Sequence, residues 1–465
     1  MEINIKQEQI HVISADLANH YRILPKDSTQ DVIEFYIDEN NNNTEIKDEL
    51  ELLLGYDVIL FPYLTEEIEK SLSIYYRKER VQNTQKSLNI DSGDFLDNLL
   101  QEAKSLKSSD IHFEVYEESA RIRFRIDGQL IERYKVERDN YLELVNKVKI
   151  RAKLNITEKR LPQDGRITNA NFDIRVSILP TLFGEKIVMR LLGQDASNID
   201  LTTLGLKEDE LYNYLEAVKK PNGIILISGP TGSGKTTTLY ATLRLLNDSK
   251  RNIVTVEDPI EYTLKGINQV QLKEDIGLTF ASALKSFLRQ DPDIIMLGEI
   301  RDPETAMMAI RASLTGHLVL STIHTNSALG TISRLIDMGI PSYLIAETLN
   351  LSVAQRLVRK LCNDCKNEAE CKKEDFPVNF KVPYPVVKIF KPTGCNKCFH
   401  TGYKNRTAIY EVLNIDYSTA DAIKNNLINK LYTTTAHKSL SDKAFDLLAG
   451  GQTSLEEIYS ILINI

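Results

Sequence analysis

The sequence predicts an α/β protein whose C-terminal half is a helix-covered parallel sheet holding a phosphate loop. Three observations carry this expectation. The first is the run Gly229-Pro230-Thr231-Gly232-Ser233-Gly234-Lys235-Thr236-Thr237, set between apolar Ile224–Ser228 and helix-forming Leu239–Leu243. Strand, glycine-rich turn and helix in that order let successive backbone N–H groups point at one anion, with the helix N-terminus adding its positive dipole end. The second is a rhythm of short apolar strands, 224–228, 253–257, 293–298 and 317–323, alternating with longer helical patterns, as in parallel sheets covered by helices. The third is a pair of acid-ended strands. Ile253–Val256 runs into Glu257-Asp258-Pro259-Ile260-Glu261, and Asp293–Gly298 runs into Glu299-Ile300-Arg301-Asp302. Parallel strands deliver such ends to one ligand-facing edge.

Bulk properties set the limits. A chain of 465 residues holds about three ordinary domains. With 42% hydrophobic and 26% charged residues it reads as a soluble globular protein. A net charge of −8 argues against broad nucleic-acid binding. No apolar window approaches the ~18 residues of a membrane span. The start, Met1-Glu2-Ile3-Asn4-Ile5-Lys6-Gln7-Glu8, lacks the basic and apolar parts of a signal peptide. The expected location is the cytoplasm, with any membrane association made through a partner.

Along the chain, residues 1–80 read as a small α+β module in which Glu66–Tyr76 has helical period. Polar 81–92 reads as a linker, although the helical pattern of the next part already begins at Asp91. Residues 93–195 form a second α+β domain. There Ala120–Ile126 alternates charged and apolar residues up to Asp127-Gly128, placing Arg121, Arg123 and Arg125 on one sheet face. Further strands are expected at 172–178 and 186–192, and a helix at 141–154. A second linker, 196–204, leads to the nucleotide domain, 205–465, whose segment 360–400 carries every cysteine.

The residue types indicate roles. Lys235 reaches the β- and γ-phosphates of ATP and the Thr236 hydroxyl ligates Mg²⁺. Glu299, at the end of an apolar strand, takes Mg²⁺ or water activation and Glu257 supports it, though the two roles could be exchanged. His317 and His324 lie seven apart, so on an unbroken strand they face opposite ways. His324, at the strand end, is the better sensor of the γ-phosphate. Cys362-Asn363-Asp364-Cys365 and Cys395-Asn396-Lys397-Cys398 are C-x-x-C knuckles 29 residues apart, supplying four thiolates for a structural tetrahedral Zn²⁺ that staples an otherwise coreless excursion. Cys371 makes no knuckle and reads as a free thiol.

Taken together, GPTGSGKTTT, VEDPIE, LRQDPDIIMLGEIRD and TGHLVLSTIHTN strongly resemble the secretion ATPases of type II secretion systems and type IV pilus assembly, the GspE/PilB family. Asp110-Ile111-His112, Arg123–Gly128, Leu161–Arg166 and Gln355-Arg356-Leu357-Val358-Arg359 fall in the order that family shows, from about residue 95 onward. The resemblance implies a RecA-like ATPase domain preceded by a PAS-like sheet domain, and a hexamer with each nucleotide between the two. It also implies that Arg175 and Arg190 reach the phosphates from the sheet domain. The bland alternative pairs those arginines with Asp173 or Glu185 on the surface. The family's tetracysteine motif matches the two knuckles, and its N-terminal domains dock on inner-membrane platform proteins, which assigns that role to residues 1–80. Lys285 and Ser327 depart from the family's usual arginine and aspartate; lysine cannot make the bidentate arginine contact. The implied activity is ATP hydrolysis powering assembly of a pseudopilus or pilus. Pilus retraction or DNA uptake is the alternative, with a DNA-translocating motor or a non-hydrolysing platform further off.

Overall fold

The computed structural model describes residues 3–463 apart from 77–94, 170–171, 194–199, 429–437 and scattered positions before residue 44. The linker expected at 81–92 therefore lies outside the described residues, as does the start of the second one. By internal contacts the chain divides into residues 1–85 and 86–465.

In the first unit, β1 (Ile23–Ser28) pairs antiparallel with β2 (Val32–Asp38), which pairs parallel with β3 (Asp57–Tyr63). The parallel pair requires a crossover, supplied by the helix Thr44–Leu54. Alternation in β2 turns Ile33, Phe35 and Ile37 inward, where they meet Ile23, Leu24, Leu50 and Ile68. The helix Thr65–Tyr75 falls where the sequence period put one.

The second unit opens with a six-stranded antiparallel sheet in the order β6-β5-β4-β9-β8-β7. Its strands are β4 (Asp110–Val115), β5 (Ala120–Ile126), β6 (Gln129–Val136), β7 (Gln163–Asn169), β8 (Phe172–Thr181) and β9 (Gly184–Gly193). Ile111, Phe113, Ile122 and Phe124 pack with Leu99, Leu144 and Val148 from the helices Phe95–Ser105 and Arg138–Arg151. The register sets Arg166, Arg175, Arg190, Asp110 and Arg125 side by side across five strands. This charged row shares its sheet face with Arg121 and Arg123, which both hold Glu114, at 2.9 and 2.7 Å.

Next comes a seven-stranded sheet in the order β12-β11-β13-β14-β10-β15-β18. Its members are β10 (Gly223–Ser228), β11 (Ile253–Glu257), β12 (Asn268–Gln271), β13 (Ile294–Leu297), β14 (Leu318–Ile323), β15 (Leu349–Leu361) and β18 (Tyr403–Asn414). Six strands run parallel, and β18 closes the edge antiparallel to β15. The central strands are buried on both faces, as helix-covered parallel strands must be. Between β15 and β18 lies the cysteine segment with its own ribbon, β16 (Asn367–Glu370) and β17 (Lys388–Lys391).

That segment corrects one expectation: it is not coreless. Phe376 and Phe380 pack at 5.8 and 5.7 Å on Phe445 of the helix Leu440–Ala449, and Tyr384 stacks edge-on at 5.0 Å. Among the described residues no helix is long and apolar enough to cross a membrane.

Candidate functional site

The C-terminal ends of β11, β13, β14 and β10 meet at one edge, because all four strands are parallel. At the centre, Ser228 leads into the loop and Lys235 opens the helix Lys235–Leu246. Gly232 and Gly234 hold φ of 81° and 90°, backbone that side-chain-bearing residues rarely adopt. A Cβ on Gly234 would stand 2.8 Å from Gln355 Nε2, and one on Gly229 2.5 Å from the Gln355 carbonyl oxygen. Close approach by the neighbouring strand β15 thus also demands glycine. Lys235 Nζ donates to the carbonyl oxygens of Gly229 and Pro230 at 2.8 and 3.0 Å, while Thr236 lies exposed on the first helical turn. Burial pushes the Lys235 ammonium below the usual lysine range; nearby Arg356 acts the same way and Glu299 opposes both.

Glu299 lies two residues past β13. Its carboxylate meets Arg301 on one oxygen and His324 Nε2 at 3.3 Å on the other. Burial would raise its pKa, but Arg301 and His324 outweigh burial and hold it below the usual carboxylate range. Arg301 also comes within 3.9 Å of Asp258, the residue after β11. His317 stands apart before β14, with Nδ1 2.8 Å from the Ala312 carbonyl oxygen. The two histidines thus occupy opposite ends of that strand.

Glu257 ends the next strand but has another environment. It is buried, and Tyr240 donates to one oxygen while Thr255 and Gln269 donate to the other at 2.6 and 3.1 Å.

The arginines of the sheet domain do not take the surface partners considered for them. Arg175 Nη2 donates to the Ile260 carbonyl oxygen at 3.1 Å, in the loop after Glu257. Arg190 pairs with Asp110 at 3.0 Å and is well exposed. Asp173 is held by Arg166 and Glu185 by Lys149. Arg175 therefore meets the edge that carries Glu257, and Arg190 neighbours it in the adjoining strand. Lys285 forms an exposed pair with Glu304 at 3.0 Å. Ser327 caps the helix Ala328–Asp337 by accepting from Gly330 N, work an aspartate does equally well.

Two residues had no role assigned from the sequence. Arg301 bridges Glu299 and Asp258. Arg356 on β15 comes within 3.2 Å of a Cβ built on Gly229 and donates to Asn326 Oδ1 at 3.1 Å, spanning the loop from β15 to the segment after β14. Its signal was the cationic QRLVR run, which has no local link to Gly229.

The four cysteines converge, with all sulfurs within 4.8 Å of one another. Cys362–Cys395, Cys365–Cys398 and Cys395–Cys398 are 3.9, 3.8 and 3.7 Å apart. A tetrahedron of thiolates about 2.3 Å from Zn²⁺ has edges of about 3.8 Å, so the set fits that ion. Backbone N–H groups of Gly394 and Gly402 point at Cys365 and Cys398 sulfurs, each at 3.3 Å, satisfying thiolate lone pairs. Cys371 stands outside this set, partly buried against the core of the nucleotide domain.

A parallel sheet with a glycine loop, an invading lysine and an acid-ended neighbouring strand defines a P-loop ATP hydrolase. Residues 90–460 match the family described as type II/IV secretion system protein, and the chain belongs to that family. It is 47% identical over 373 residues to the type II secretion system ATPase E of Vibrio cholerae, covering 78% of this chain and 74% of that one. It is also 47% identical over 377 residues to the type IV pilus assembly ATPase PilB of Myxococcus xanthus, covering 77% of this chain and 66% of the relative. A crystal structure of the pilus retraction motor PilT with bound ADP superposes with a TM-score of 0.56 at 26% identity, over 78% of this chain and 96% of that one. The chain is thus a RecA-like secretion or pilus ATPase.

Proposed function

We propose that the chain is a homo-hexameric motor whose ATP hydrolysis powers assembly of a secretion pseudopilus or a type IV pilus. The observation that carries this reading is the composite edge, where the loop and Glu299 come from the nucleotide domain and Arg175 reaches in from the sheet domain. In this reading Lys235 and the loop 229–237, through its backbone N–H groups other than that of Pro230, which has none, hold the triphosphate, and Thr236 ligates Mg²⁺. Glu299 orients the metal or the attacking water, and His324 reports the γ-phosphate to it. Glu257 acts in support: its three donors suit a group that fixes strand and loop rather than one that moves. Arg175 and Arg190 neutralise charge developing on the phosphates, which would couple hydrolysis to movement of the sheet domain. Cys362, Cys365, Cys395 and Cys398 hold Zn²⁺, whose contribution is a cross-link between the two knuckles.

The motor works in the cytoplasm and meets the inner membrane through platform proteins, with residues 1–80 as the docking module. The identity of nearly half the aligned residues with the secretion and pilus assembly ATPases supports assembly over retraction. Deleting the gene and complementing it with wild type or Lys235→Ala tests the reading. Wild type should restore exported proteins in the medium or pili on the surface, and the variant should restore neither. Restoration by both would remove the motor role. Native mass spectrometry with a non-hydrolysable ATP analogue should give six copies; a stable monomer would contradict the ring.

A further inference from the structure

The knuckle that closes the cysteine site also reaches the sheet domain. Directly after Cys398 come Phe399 and His400, with φ of 51° and 59°. Left-handed backbone is rare for a bulky residue, and such outliers persist only where the surroundings enforce them. Here the knuckle enforces it: His400 N donates to the Cys395 carbonyl oxygen at 2.9 Å, and the Thr401 hydroxyl to that of Cys398 at 2.7 Å.

The strained turn aims the Phe399 ring out of the cysteine segment and against the apolar core of the sheet domain. The guanidinium of Arg133 on β6 lies 5.2 Å from the ring centre, in cation–π range. Buried Arg133 is in turn fixed by Glu102 of the helix Phe95–Ser105. Beside this contact, Asp127 in the β5–β6 turn accepts from Asn405 N at 2.7 Å, and Arg406 lies 3.9 Å from the same carboxylate. The sheet domain is thus held at the knuckle by one end, while Arg175 meets the Ile260 carbonyl elsewhere.

We propose that Phe399 is a positioning residue: the cysteine knuckle anchors the sheet domain through this ring and so sets how Arg175 is presented at the ATP site. The metal part rests on the zinc reading above. The anchor rests on contacts of the protein alone.

The test compares full-length wild type, Phe399→Ala, Phe399→Tyr and Asp127→Ala by zinc content, hydrogen exchange and steady-state ATP hydrolysis. Phe399→Ala should keep zinc at the wild-type level, exchange amides of 124–136 roughly tenfold faster, and raise KM for ATP severalfold. Phe399→Tyr, which keeps an aromatic face for Arg133, should behave as wild type. Asp127→Ala removes the separate contact to Asn405 and Arg406 without touching the knuckle, and should speed exchange in 124–136 with zinc unchanged. Chelating zinc from wild type should reproduce the faster exchange, and chelation of Phe399→Ala should add nothing in that segment. Unaltered exchange in Phe399→Ala would overturn the anchor, whatever Asp127→Ala does. So would an equal chelation response with and without the ring. A chain purified without zinc would overturn the metal reading instead, leaving the two variants to judge the ring.

Discussion

The phosphate loop and the cysteine cluster both gather charge, by opposite means. The loop is one contiguous stretch whose own backbone turns at Gly232 and Gly234, with a single lysine folded onto it. The cluster takes four side chains from two knuckles on either side of the β16–β17 ribbon and brings their sulfurs to tetrahedral spacing. The loop's shape is written into local residue order, so its function is separable from its fold. The cluster's shape exists only when the excursion is folded, so its function is fold. Mutations should therefore separate activity from structure at the loop and couple them at the cluster.

The largest effect is expected at the loop. Lys235→Ala should lower ATP turnover roughly a thousandfold, because it removes a positive charge from the phosphates, with the melting temperature nearly unchanged. A parallel fall in stability would erase the contrast. At the cluster, Cys395→Ser should lower bound zinc from about one per chain to near zero. It should also open 362–403 to proteases and lower turnover less than Lys235→Ala does. Full protease resistance without zinc would show that Phe376, Phe380 and Phe445 suffice to hold the excursion.

A smaller effect sharpens the electrostatics of the loop edge. Glu299 is held ionised by Arg301 and His324 against the opposing pull of burial. A carboxylate whose pKa falls on folding stabilises the native state above its unfolded value and loses that contribution as pH falls through the folded one. In Arg301→Gln, burial gains ground, so the pKa should rise. The acid limb of the kcat/KM profile should then move to higher pH, and an unmoved limb would mean that Arg301 does not set this charge.

Sequence reading succeeded where local order suffices. The loop, the acid-ended strands and the alternation of Ala120–Ile126 all follow from periods of two residues or a fixed turn. It failed where partners meet only through the sheet order. Arg356 faces Gly229 because β15 is the neighbour of β10, and no spacing along the chain encodes that adjacency. The strand β12 is too short and polar to signal itself, and β15 and β18 lie outside the four-strand rhythm of the sequence. The aromatic core under the cysteines has no local signal because Phe376 and Phe380 find Phe445 from distant elements. Glu257 and Glu299 looked interchangeable as strand-end acids. Tertiary donors from Tyr240 and Gln269 made one of them saturated.

That last difference offers the most direct test of the account: ATP turnover of Glu299→Gln, measured at an ATP concentration that saturates binding. The charge at Glu299 is assigned to the chemical step, so turnover should fall at least about a hundredfold while ATP still binds within severalfold of wild type. Turnover close to wild type in that variant would contradict the assignment and move the catalytic role to Glu257.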